Sequence, residues 1–257
     1  YINMQKRLDS YDIIVANSQF TQYWIKKYWN KDSYLLYPPV SLLTSNPQSP
    51  ISKHNWICSV GRFFTLGHGK KQEILIEAFK KLYNPLSNSL IRESVNPLTG
   101  LQLHLIGGVG SEPSSLRFIK QLQEQTKGYP IYFHFNASRS EVEEILLKSK
   151  IYWHAAGYRE DLEKDPIKFE HFGIAPIEAI SAGCIPILFD GGGLREIIEL
   201  LGFDRKLNLF STIEELVSKT LDIMNNKSSL LPQSLQKKVH QIFSQKRFKE
   251  EFSNLLA

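Results

Sequence analysis

From residue 56 onward the sequence alternates six times between a short apolar run, rich in β-branched or aromatic residues, and a longer stretch of helical period. "WICSVG" precedes "KKQEILIEAFKKL", in which Ile74, Leu75, Ala78, Phe79 and Leu82 fall on one helix face. The same pairing joins "LQLHLIGG" to "SSLRFIKQLQEQ", "IYFHFN" to "SEVEEILLKS", "IYWHAA" to "APIEAISAG", "IPILFD" to "LREIIELLG", and "LNLF" to "TIEELVSKTLDIM". Strands that are apolar on both sides must be covered on both sides, so the pattern predicts an α/β fold with a doubly wound parallel sheet between helices. Ser140 with Glu143 and Thr212 with Glu215 have the spacing of a capping box, while Gly183 and Gly202 sit where helices should stop.

Two pieces lie outside the repeat. Residues 1–40 carry strand-like "YDIIVANS", helix-like "SQFTQYWIKKYW" and the stop "YPPV", and the chain ends in "SQKRFKEEFSNLLA". "TSNPQSPISKHN" reads as a linker, and residues 84–100, with two Asn-Pro steps, as an irregular insertion. The sequence lacks an initiator Met and its first element begins at once, which leads us to expect a piece of a longer chain. At 42% hydrophobic residues it can build a full core, and the net charge of +5, from 31 basic and 26 acidic residues, is scattered with no block that would track a nucleic-acid backbone. Cys58 and Cys184 each sit inside an apolar run and read as small core residues in a reducing compartment. With no apolar run of about 18 residues and no signal-peptide core, a cytoplasmic location is expected.

In open parallel sheets, ligands bind beyond the carboxyl ends of the strands. The residues just past each strand are therefore informative. After the first come Gly61, Arg62, His68, Lys70 and Lys71; after the second, Gly107, Gly108 and Gly110; after the third, Asn136 and Ser138. After the fourth come His154 and then Glu170 to Gly173; after the fifth, Asp190 with Gly191, Gly192 and Gly193. Glycines let backbone N–H groups approach an oxygen closely and Arg or Lys neutralises its charge, so this edge suits a pyrophosphate.

The segment "KFEHFGIAPIEAISAG" adds a helix N-terminus at Gly173, Ile174 and Ala175, a partial positive charge that attracts an anion. Glu170 lies in the loop before that helix and Glu178 about a turn inside it, so two carboxylates can accept hydrogen bonds from sugar hydroxyls at different depths. His154 reads either as a hydrogen-bonded core histidine or as a crevice residue, and Glu196 as a first-turn acid. "GGVGSE" fails the GxGxxG spacing, no GxxxxGK[ST] occurs, and neither a Cys/His set nor an Asp-x-Asp pair offers a metal site.

"VGRFFTLGHGKKQEILIEAFKKL", "LHLIGG", "YWHAAGY", "FEHFGIAPIEAISAGCIPI" and "GGGLREII", in this order, resemble the donor half of family 4 (group 1) glycosyltransferases of the GT-B fold, over roughly residues 11–257. The resemblance implies a Rossmann-like donor domain over 41–240, preceded at 1–40 by the end of an acceptor-binding N-terminal domain and followed at 241–257 by a helix that crosses back to it. It implies retaining, metal-independent transfer from a nucleotide-diphosphate sugar, with no other cofactor, to an acceptor bound by the missing domain. Any membrane association would come through that missing part, and the fragment alone would bind donor but transfer poorly. Arg62 and Lys70 would grip the diphosphate, Glu170 would contact the transferred sugar and Glu178 the ribose. The usual Lys-Gly pair stands here as Lys70-Lys71, so either lysine fits the role. Phe172, Gly173, Ile174, Gly192 and Gly193 would lie near the sugar and phosphates, with Phe135 and Asn136 near the base. Alternatives are a non-catalytic nucleotide-binding module or a related GT-B epimerase or phosphorylase.

Overall fold

The structure, a computed structural model, describes residues 4–43, 52–64, 69–88, 99–226 and 231–256. His68, linker residues 44–51 and insertion residues 89–98 lie outside these. The chain enters through α1 (Met4–Leu8), β1 (Val15–Ala16), α2 (Gln19–Trp29) and β2 (Tyr34–Leu35). Next come β3 (His54–Val60), α3 (Gln72–Asn88), β4 (Gln102–Gly107), α4 (Pro113–Gln125), β5 (Ile131–Phe135), α5 (Arg139–Lys148) and β6 (Ser149–His154). The remainder is α6 (Ile174–Ser181), β7 (Ile185–Phe189), α7 (Gly193–Leu201), α8 (Arg205–Asn208), β8 (Leu209–Phe210), α9 (Ile213–Asn225), α10 (Gln233–Phe243) and α11 (Gln245–Leu256).

All six expected strands, β3 to β8, join one parallel sheet in the order β5-β4-β3-β6-β7-β8. Chain direction across the sheet reverses between β3 and β6, which opens a crevice at their carboxyl ends. Strand alternation sorts the core into two layers. Ile57, Leu103, Leu105, Ile151, Trp153 and Ile187 meet α3, α4 and α9 on one face. Cys58, Ile106, Tyr152 and Leu188 meet α5, α6 and α7 on the other. The predicted face of α3 is buried throughout, with Leu75, Ala78 and Phe79 fully inaccessible, and both cysteines are buried and free.

The helix ends obey local chemistry, with two corrections: α3 runs on through Asn88, into the expected irregular insertion at 84–100, and the cap of α5 lies elsewhere. Thr212 caps α9 by accepting from the Glu215 N–H, while Gly183 and Gly202 adopt φ of +87° and +80° at the stops of α6 and α7. The cap of α5, however, is Ser138, which accepts from the Glu141 N–H, and not Ser140 with Glu143. Ile145 and Leu146 are buried on this helix, and Glu143 instead pairs with Arg139.

The N-terminal segment packs onto the sheet domain. "YDIIVANS" contributes only Val15–Ala16 as strand, paired in parallel with the two residues of β2. Ser18 caps α2 and donates its hydroxyl to the His171 carbonyl at 2.5 Å. The Glu196 carboxylate on α7 accepts from the Gln19 and Phe20 N–H groups and from the Tyr37 hydroxyl. Tyr37, Phe172 and Phe243 form an aromatic cluster with centroids 5.7–5.9 Å apart, and Arg247 of α11 donates to the Tyr37 carbonyl. Among the described residues no helix is long and apolar enough to cross a membrane.

Candidate active site

At the β3/β6 switch point lies a cavity of about 530 Å³. Its wall brings together Gly61, Arg62, Lys70, His154, Glu170 and the Gly173–Ala175 turn, which come from loops far apart in sequence. A second cavity of about 540 Å³ adjoins it through Arg62 and Gly108 and extends to Phe64, Glu112 and Ser115. Close approach at this edge depends on missing side chains. A Cβ on Gly61 would fall 2.5 Å from Lys70 Cγ, and one on Gly107 would fall 2.0 Å from the Gly61 carbonyl oxygen.

Glu170 is the hub. Its Oε2 takes Lys70 Nζ at 2.6 Å and His154 Nε2 at 2.9 Å. Burial alone would raise the Glu170 carboxyl, but the hydrogen bond and charge of His154 and those of Lys70 outweigh it and hold it well below the usual carboxylate range. His154 is 1% exposed, and burial, helped by the charge of Lys70, pushes its imidazole down against the pull of Glu170. A carboxylate can only accept, so the His154 proton sits on Nε2. Nδ1 lies 3.3 Å from the Tyr152 oxygen, which also lies 3.4 Å from the Val60 carbonyl oxygen, so the one hydroxyl proton serves only one of the two.

The N-terminus of α6 supplies the second anchoring element. Gly173 caps it at φ +108°, a conformation that favours glycine, and the first-turn residues Ile174 and Ala175 face the cavity. Aligned peptide dipoles give that end about half a positive charge.

The other expected residues fall into distinct places. Glu178 is buried a turn deeper on α6, where Arg139 Nη1 meets its Oε1 at 2.7 Å. Lys71 points away from the cavity: it pairs with Glu160, which also takes Lys168 at 2.9 Å, beside a separate cavity of about 310 Å³. The geometry therefore separates the two neighbouring lysines, and Lys70 is the one at the β3/β6 crevice. Phe135 packs edge-on against Phe63 at 5.1 Å, and Asn136 Oδ1 accepts from the Val109 N–H at 2.9 Å, fixing the turn after β4. The ring of Phe172 packs between Tyr37 and Phe243.

Gly192 and Gly193 stand behind the Glu170 loop. A Cβ there would lie 2.4 Å from the Glu170 carbonyl oxygen and 2.3 Å from that of His171, and Gly193 N donates to the Glu170 carbonyl at 2.8 Å. The glycine run thus allows α7 to close on the carboxylate loop from the rear. Three participants escape the sequence reading: Arg139 on Glu178, the partners of Glu196, and Tyr152. The last had a usable signal, because residues two apart on one strand share a face.

A model of the family described as glycosyl transferases group 1 matches residues 44–242. The chain belongs to this family. Among curated group 1 relatives, the GDP-Man:Man(3)GlcNAc(2)-PP-Dol alpha-1,2-mannosyltransferase of Xenopus tropicalis is 27% identical over 191 residues, 71% of this chain and 34% of that protein. The human enzyme of the same name is 26% identical over 192 residues, 71% of this chain and 35% of that protein. The match thus spans about a third of the length of these relatives. Sucrose-phosphate synthase from Thermosynechococcus elongatus superposes with a TM-score of 0.68 at 16% identity, covering 98% of this chain and 59% of that one. Anabaena HepE in complex with UDP and glucose gives 0.68 at 17% identity, covering 95% and 62%. At these identities the likeness is one of fold, and it is the GT-B glycosyltransferase fold that the group 1 motifs imply.

Proposed function

We propose that this chain seats a nucleoside-diphosphate sugar in the β3/β6 cavity as the donor part of a retaining, metal-independent glycosyltransferase. Arg62, Lys70 and the α6 N-terminus take the diphosphate, Glu170 faces the transferred sugar, and Glu178 reaches the ribose. The observation that carries this reading is the convergence of Arg62, Lys70, Glu170 and the α6 first turn on one cavity wall. The charges are arranged consistently with it. Each buried carboxylate brings its own partner, Lys70 and His154 for Glu170 and Arg139 for Glu178, so neither opposes an anionic ligand with an unpaired charge.

In this reading the protein's chemical work is electrostatic. As the bond to the sugar breaks, negative charge grows on the leaving diphosphate, and preoriented cations and amides stabilise it without having to reorganise. Residues 1–40 and the final helix would seat a domain that binds the acceptor. The exposed rings of Tyr23, Tyr28 and Tyr34 on that segment fit such a role. GDP-mannose is the first donor to test, since the frog and human relatives are named for GDP-Man; UDP-glucose is the comparison.

Titration calorimetry of the full chain with GDP, GDP-mannose, UDP and UDP-glucose tests the reading. One base should bind, and Arg62→Ala should weaken that nucleotide by more than tenfold. Equal affinity of wild type and variant would remove Arg62 from the site and the diphosphate with it.

A further inference from the structure

Tyr152, His154 and Glu170 form a hydrogen-bonded line that runs from the sheet interior to the cavity wall. The line ends on the same carboxylate oxygen that Lys70 occupies. Two donors on one oxygen are redundant in this state, yet they differ in what they can do next. Lys70 is a flexible four-carbon stem laid across Gly61, and its charge is of the kind a diphosphate draws. His154 cannot follow, because it is 1% exposed on a central strand and its ring stacks on Tyr152 at 6.1 Å with an interplanar angle of 18°.

We propose that His154 is a positioning residue: once the donor diphosphate has drawn Lys70 away, His154 alone holds the Glu170 carboxylate against the sugar. The inference rests on the donor-site reading. A neutral imidazole suits the task, since it donates one directed hydrogen bond while leaving the carboxylate its full negative charge. A second lysine would cancel that charge and compete for the diphosphate. A histidine with its proton on Nδ1 alone would present a lone pair to Glu170 and repel it, so the Nε2–H form is the one that serves.

The role predicts an effect on sugar recognition that packing alone does not. In calorimetric titrations of the full chain with GDP and GDP-mannose, and with UDP and UDP-glucose in parallel, His154→Phe should weaken the sugar nucleotide at least tenfold more than it weakens the bare diphosphate. His154→Gln, which keeps a donor, should recover most of that loss. Equal weakening of both probes by His154→Phe, or of neither, would overturn the positioning role while leaving the donor site standing. If wild type binds none of the four nucleotides, the donor-site reading falls and this inference falls with it. Should His154→Phe not fold, ¹H–¹⁵N spectra of the histidine-labelled wild type with the binding diphosphate present decide the matter. A neutral His154 with its proton on Nε2 is expected, and an imidazolium or an Nδ1–H ring would refute the proposal.

Discussion

Replacing Gly193 by alanine tests whether α7 sets the position of the carboxylate loop. Gly193 does not occupy the left-handed region, so alanine suits its backbone and the perturbation is purely steric. The added Cβ would lie 2.3 Å from the His171 carbonyl oxygen, 2.7 Å from its carbon and 3.0 Å from Phe172 Cα, all backbone atoms. Restoring ordinary contact requires the loop or the helix to move by about 1 Å. Overpacking of this kind costs about 1–3 kcal/mol, which for a chain of this size lowers Tm by roughly 2–10 °C. The same displacement carries Glu170, whose carbonyl accepts the Gly193 N–H at 2.8 Å. In catalysis a 1 Å misplacement of a positioning group can cost about a hundredfold in rate, and a hydrogen bond to a charged group lost from the sugar costs about 1.5–3 kcal/mol, roughly tenfold or more in affinity. Thermal shift should therefore show the fall in Tm, and calorimetry with GDP-mannose, or with UDP-glucose if the site prefers uridine, a loss of tenfold or more. Unchanged Tm together with unchanged affinity would show that the loop is not held from behind, and would refute the reasoning.

Two further outcomes are expected from the same geometry. Lys70→Ala should weaken the nucleoside diphosphate by at least tenfold, while Lys71→Ala, tied to Glu160 outside the crevice, should change it by less than threefold; calorimetry showing the reverse order would reassign the lysine. His104 is buried beside His134, Nδ1 to Nε2 at 3.0 Å, and burial first, then the charge of His134, push it down to about 4 from 6.5. Because the unfolded chain takes up this proton first, the stability contributed by neutral His104 is complete above pH 6.5 and is lost as pH falls from 6.5 toward 4. The loss amounts to ~3 kcal/mol at most. Urea unfolding of His104→Gln should show a flatter profile across that window, and a slope equal to that of wild type would count against the assignment.

The sheet was legible because each strand is an apolar run too short for a helix and is succeeded by a 3.6-residue pattern, so local signals and tertiary burial agree. Residues such as Leu75 and Phe79 could be assigned from spacing alone. The α5 cap was misplaced because Ser138-x-x-Glu141 and Ser140-x-x-Glu143 overlap. Which serine meets a free N–H is decided only by the folded backbone, where Ser138 accepts from Glu141. At the site, the glycines, Arg62, Lys70, His154 and Glu170 could be picked out from the strand ends, but the partners of Glu178 and Glu196 could not. Arg139 lies 39 residues before Glu178, and Glu196 is 177 residues from Gln19, distances at which sequence periodicity carries no information. The choice between Lys70 and Lys71 was open for a similar reason. Adjacent side chains leave a loop in different directions, and backbone conformation decides which one enters the crevice.

The bonds around His171 have a mechanical consequence. The Ser18 hydroxyl grips the His171 carbonyl from α2, and the Gly193 amide grips the neighbouring Glu170 carbonyl from α7, which is itself moored to α2 through Glu196. Glu170 therefore hangs between two clamps that share an anchor, one of them a single peptide unit away. The N-terminal segment tethers the loop that carries that carboxylate, and cutting it away would free the loop on one side while leaving Arg62, Lys70 and Glu170 all in the chain.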